Sequence, residues 1–361
     1  MGSLRLHNYN ICDMQKGNIL STGSGEGVNR PNVQLVNNNR DESVDFFKGM
    51  LMLGVIWGHT INSLSLDYFE TGVWIHRFFR VYDMPFFMIL SGFYLKQSAD
   101  KYPLKTLLLN RSSMVLLPIV LWNLAKGSFN MMSFYFLWAV FLSSIICGIG
   151  HWIGYKTYKI LEIFLYVSFF ILFHIFPFPW NMFYLFPFFC VGYYMQNTKF
   201  QLSTPLFIVI LGLLSIGMCL WRASYTPWEY GSEVWKIDTN ALYIYGYRFL
   251  LSIVATYIMA NVFKMLYSYI PRNITELVLK SGRETLALYI LQLFVIEVLL
   301  RKIMICLNTT WYNLYPDIIQ NMIGYVLAPC ISVLAMQFLT IAIYNIKKIS
   351  QLRWIFGIKI I

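Results

Sequence analysis

Leu202 to Leu220 reads LSTPLFIVILGLLSIGMCL, a run without a single Asp, Glu, Lys or Arg. A bilayer core of ~30 Å is crossed by about 20 apolar residues in a helix, and this run meets that length. Leu242 to Ala260 repeats the pattern with Arg248 as its only charge. Working outward from these two, further apolar windows fall at 44–66, 76–96, 106–125, 131–150, 158–176, 180–197, 283–300 and 321–344, with short connections between them. Pro177-Phe178-Pro179 reads as a tight turn. Composition agrees: 12% of the 361 residues are charged, 58% are hydrophobic and the mean hydropathy is +0.56. A soluble domain carries about 25% charged residues. The expected fold is all-α, a polytopic integral membrane bundle of about ten transmembrane helices.

The organisation follows. Residues 1–43 are polar and rich in Asn, Gly and Ser, and read as a flexible cytoplasmic N-terminal tail. Residues 44–346 form the ten-helix transmembrane domain, and 347–361 a basic cytoplasmic C-terminal tail. Lys and Arg concentrate after every second window, as at Lys101, Lys105, Lys156, Lys159, Lys264, Lys280, Lys347 and Lys348. That bias places both termini in the cytoplasm. The net charge of +11 is therefore topogenic, and nucleic acid is excluded as a partner. The six cysteines have no CxxC pair or metal-ligand spacing, and no metal is expected. HExxH, Walker and GxSxG motifs are absent from the sequence, which leaves no hydrolase or ATPase site.

Ionisable residues at membrane depth are functional candidates by default. In the first window, Lys48 and His59 are about three turns apart, so their side chains share one face within ~20° and an axial distance of ~16 Å. Asp45 lies about 40° from that stripe. Gly49, Gly54 and Gly58 would let a helix or ligand come close. Two readings stand at this point: a reaction site, or a lysine that snorkels to the inner headgroups beside a histidine bonding a neighbouring helix.

Six segments in order then carry a resemblance. Lys48 to His59 is similar to the basic-x10-His motif that opens the acyltransferase-3 family of integral membrane O-acyltransferases. Tyr82-Asp83-Met84-Pro85-Phe86-Phe87 through Ser91-Gly92-Phe93-Tyr94-Leu95 resembles the family's MPxFFxxSGxxL helix, and Arg111 through Leu116-Leu117-Pro118 its R…LLP stretch. Phe136-Leu137-Trp138 and Phe188-Phe189-Cys190-Val191-Gly192-Tyr193 resemble the next two signatures. Ser281-Gly282-Arg283 through Tyr289 and Gln292 is similar to the last, G+xSLxIYxxH. Asp83 and Gln292 stand where many members have His, and neither titrates as imidazole does.

The resemblance implies O-acetyl transfer from cytoplasmic acetyl-CoA to a hydroxyl of a surface polysaccharide or lipid-linked sugar, in the plasma membrane. His59 would act as general base or carry the acyl group transiently, and the sequence leaves both open. Asp83 could orient His59 or pair with Arg80. Lys48 and Arg111 would hold the donor's phosphates, with a topogenic role the alternative for Arg111. Ser91, Tyr289 and Gln292 are candidates for contact with substrate, or interhelical hydrogen bonders. Glu297 and Arg301 are spaced for an ion pair. His76 is expected in solvent, and His151 and His174 at the interface without partners. The rival reading is a transporter or glycan flippase using the same charges without acyl transfer. Self-association is compatible with either.

Overall fold

The computed structural model describes residues 41–65, 74–127, 134–156, 159–175, 181–195, 204–221, 239–306 and 316–357. The polar tail up to residue 40 and the Pro177–Pro179 turn lie outside them. Among the described residues every element is helical and there is no strand. Each apolar window is occupied by a helix: α1 Glu42–Ser65, α2 Trp74–Lys101, α3 Leu104–Ala125, α4 Tyr135–Lys156, α5 Lys159–Ile175, α6 Asn181–Tyr194, α7 Thr204–Leu220 and α8 Thr239–Tyr269. After α9, Arg272–Arg283, come α10 over 285–306 and α11 over 316–348.

Four spans are long and apolar enough to cross a bilayer on composition alone: Leu104–Ala125, Tyr135–Gly154, Tyr243–Tyr269 and Ile318–Lys348. α1 and α2 fall short because they carry the polar residues that line the site. The outer faces decide the class. Ile160, Ile163 and Phe164 on α5, Ile208, Val209 and Ile216 on α7, and Leu334, Phe338 and Ile341 on α11 are all exposed. Apolar surface on that scale needs lipid against it. The protein is an integral membrane protein.

α9 was not foreseen. Thr275, Val278, Leu279 and Gly282 are buried at helical spacing while Arg272, Glu276, Lys280 and Arg283 face outward, so its mean hydropathy is too low to register as a window. α9 packs on α1 with no side chain between them at two points. A Cβ at Gly282 would overlap the Asp45 carbonyl, and one at Gly49 the Val278 carbonyl. α2 and α6 cross in the same way at Gly92 and Gly192, against the carbonyls of Phe189 and Ile89. Gly54 and Gly58 admit rings of α2: Phe79 and Tyr82 beside the first, His76 beside the second.

The basic C-terminal segment is structured as far as Gly357. α11 runs on to Lys348, and Ser350–Phe356 then forms a 3-10 turn. That turn packs back on α3: Phe356 is buried, Trp122 stacks on it at 6.0 Å, and Trp122 Nε1 donates to the Ile355 carbonyl at 3.2 Å. The apolar Trp354-Ile355-Phe356 stretch accounts for the packing amid basic neighbours.

Candidate active site

The His59 end of α1 is fixed from two sides. Trp57 Nε1 donates to the Gly324 carbonyl of α11 at 2.9 Å, and Ser332 Oγ donates to Thr60 Oγ1 at 3.2 Å. Gly324 belongs to a π-helical turn, Ile323–Leu327, a local change of ladder that recurs at functional sites.

His59 does not stand alone. Its Nδ1 lies 2.5 Å from Glu297 Oε1 of α10. The sequence spacing matches Glu297 with Arg301, and Arg301 also lies within electrostatic reach of this carboxylate. Glu297 falls in a second π-helical stretch, Leu293–Leu300. In an α-helix positions 292 and 297 point about 140° apart, whereas a π-helix bonds i to i+5 and brings them close to one face.

Asp83 is buried on α2, and its Oδ1 accepts the Met84 N–H at 2.6 Å. Arg80, His59 and Arg248 all lie within electrostatic reach of it. Tyr289 is buried, with its ring 5.5 Å from Phe136, and Tyr135, Glu297 and Asp83 lie within electrostatic reach of its hydroxyl. Gln292 is fully buried, and neither its Oε1 nor its Nε2 has a hydrogen-bond partner within the protein. The structure therefore brings His59, Asp83 and Tyr289 into one polar cluster and adds Glu297, Arg80 and Tyr135.

Arg248 belongs to the same cluster. It is 2% exposed, stacks over the Trp221 ring at 3.6 Å, and donates from Nη2 to the Arg80 carbonyl at 3.4 Å, while its Nε and Nη1 find no acceptor. Its sequence signal was plain, a lone charge within an apolar run. His76 corrects the solvent expectation. It is buried on α2 in the space Gly58 leaves, and its Nε2 accepts from Arg80 Nε at 3.2 Å.

Lys48 sits at the opposite end of α1, half-buried, its Nζ 4.8 Å above the Tyr94 ring. Ser91, half-buried on α2, lies one turn before Tyr94. Asp45 meets Arg283 Nε at 3.5 Å. Arg111 is half-buried on α3, just before a third π turn, Ser112–Leu116. α3 packs on α4 and α2. His151 has partners that the sequence did not suggest: its Nδ1 meets the Tyr193 hydroxyl at 2.7 Å, with Asp100 at 3.5 Å from Nε2. The His174 side chain lies outside the described residues. No group of three His, Cys, Asp or Glu among the described residues could hold a metal ion.

The Glu297 carboxylate stands against imidazole Nδ1, so the ring nitrogen left to meet a hydroxyl proton is Nε2 on the far side. Comparison with known proteins bears on which reaction that serves. Residues 41–142 match a family described as "Acyltransferase domain". That segment runs from α1 into α4 and holds Lys48, His59, Asp83, Ser91 and Arg111. The resemblance to the acyltransferase-3 family holds, and the class it gives is membrane acyltransferase. The chain is similar to nodulation protein NolL of Mesorhizobium japonicum, 24% identical over 293 residues, which is 71% of this chain and 76% of that one. It is also 23% identical over 198 residues to nodulation protein NolL of Sinorhizobium fredii, covering 47% and 52% of the two chains. It thus spans about half the length of the second relative. No solved structure matches.

Proposed function

We propose that the protein transfers an acetyl group from cytoplasmic acetyl-CoA to a hydroxyl of a surface polysaccharide or lipid-linked sugar across the plasma membrane. In this reading the windows form about ten spans and both termini are cytoplasmic. Lys48 and Arg111 meet the coenzyme's phosphates near the inner boundary, and the acyl-bearing arm extends along α1. The carrying observation is the His59–Glu297 contact at the far end of the same helix. The acceptor hydroxyl loses its proton to His59 as its oxygen attacks the thioester carbon. The C–S bond then breaks and the thiolate takes the proton from His59. Tyr289 and Ser91 line the path of the substrates.

The test is donor consumption. Reconstituted protein with acceptor glycolipid should release free coenzyme A from acetyl-CoA, which a flippase would not do. His59→Gln keeps size and a hydrogen-bonding end but cannot take a proton in this way. It should lower glycan acetylation at least about a hundredfold while leaving expression and insertion intact. Parent-level acetylation in stably folded His59→Gln protein would remove His59 from the mechanism.

A further inference from the structure

Gln292 is 0% exposed, and among the described residues neither end of its amide has a hydrogen-bond partner. An amide buried without hydrogen bonds is destabilising, and proteins avoid it unless something else fills the vacancy. Its placement says what that is. Gln292 follows Tyr289 by three residues, so the two share a face of α10. Glu297 comes five residues later, across the π-helical stretch whose i to i+5 ladder sets it about one turn further along nearly the same face. Gln292 therefore stands roughly one turn from the carboxylate that holds His59, on the side from which a donor entering past Lys48 arrives.

Acyl transfer needs two groups around one carbon: a base about 3 Å from the attacking oxygen, and a donor about 3 Å from the carbonyl oxygen as charge develops on it. His59, held against Glu297 of α10, and Gln292, about a turn earlier on α10, come from the two helices that would flank such a carbon. We propose that the Gln292 side-chain amide is the oxyanion donor: its Nε2–H donates to the thioester carbonyl oxygen of the bound acyl donor. This rests on the acyl-transfer reading above. The balance is unchanged from that reading. Attack forms the C–O bond and places the carbonyl π pair on the oxygen, where Gln292 holds it. The pair returns as the C–S bond breaks, and the thiolate leaves with the proton His59 had taken. Gln292 transfers no proton, which is why glutamine serves at this position.

The experiment uses the whole protein in nanodiscs with carbonyl-labelled acetyl-CoA, read by isotope-edited infrared difference spectroscopy. In the parent the bound C=O stretch should move to lower frequency than in free acetyl-CoA. Gln292→Leu should abolish that shift, change acetyl-CoA affinity by less than about threefold, and lower single-turnover transfer about 10²–10³-fold. Its thermal midpoint should hold or rise, because leucine leaves no amide unpaired. Gln292→Met, unbranched and of similar length, repeats the test should leucine fail to pack. A carbonyl frequency identical in parent and variants overturns the proposal. So does a variant that loses stability and keeps turnover, the signature of a structural amide. Failure of the parent to bind acetyl-CoA would sink the acyl-transfer reading itself; binding with an unshifted carbonyl would sink only the role of Gln292.

Discussion

The two ends of α1 treat charge in opposite ways. At the Glu42 end, polar groups satisfy one another in half-exposed pairs. Glu42 meets Arg272 at 3.8 Å and Arg283 at 3.7 Å, and the Tyr267 hydroxyl donates to it at 3.3 Å. Asp45 takes Arg283, and Glu284 takes Lys347. Backbone contact at Gly49 and Gly282 locks the helices beneath. At the His59 end the polar groups are buried deeper and paired less completely. The amide of Gln292 and two nitrogens of Arg248 have no partner there. A fully satisfied network stabilises a fold, whereas buried unsatisfied groups are retained where a ligand completes them. One end of the helix holds the bundle together, and the other, in the proposed reading, receives the substrates.

That contrast can be broken by substitution. Beyond His59 and Gln292, the largest effect is expected at Glu297. Glu297→Gln should lower glycan acetylation about 10–100-fold, since it removes the carboxylate that orients His59. The thermal midpoint should barely move, because the Glu297 side chain is 43% exposed. An unchanged rate would detach Glu297 from the reaction.

Gly282→Ala comes next and should do the reverse. Its Cβ would overlap the Asp45 carbonyl. Overpacking of that kind costs about 1–3 kcal/mol, read as a lower midpoint in detergent, with turnover per folded molecule kept. A wild-type midpoint would mean that α1 and α9 are not in backbone contact.

Lys48→Met and Arg111→Met should each weaken acetyl-CoA binding about tenfold, the worth of one charge-assisted hydrogen bond. Lys48→Arg should keep most of the affinity, because the phosphates need a cation rather than an ammonium as such. Unaltered donor affinity in both Met variants returns these residues to a topogenic role. The smallest effect belongs to Arg272→Gln. The Arg272 side chain is 64% exposed, and its partners are surface carboxylates. Solvent screens such pairs, so neither midpoint nor turnover should change measurably.

Much of the fold was legible because bilayer length and apolar run length are the same quantity seen twice. Every window became a helix. α9 escaped because amphipathy, not hydropathy, makes it helical. The candidate site was legible on α1, where Lys48 and His59 come from one regular helix and their relation is arithmetic. On α10 the His59–Glu297 contact was not legible, because it joins two helices and Glu297 lies in the π-helical stretch Leu293–Leu300, off the 3.6-residue ladder. His76 and His151 failed for another reason. Their burial and partners come from Gly58 and Tyr193, and no spacing rule connects residues that meet only in three dimensions.

The π-helical stretch has a consequence in the language of insertions and deletions. A wide turn amounts to one surplus residue accommodated inside a helix. Removing one residue between Gln292 and Glu297, for instance Val295, would let the ladder close to α-helical and leave the carboxylate four residues after Gln292, on nearly the same face. Straightening the turn with every residue kept would instead carry the carboxylate about 140° from Gln292, and the proposed pair with His59 would come apart. Length and ladder in this segment are thus one variable: a homologue with one residue fewer here keeps the arrangement on a regular helix, and one of this length needs the wide turn.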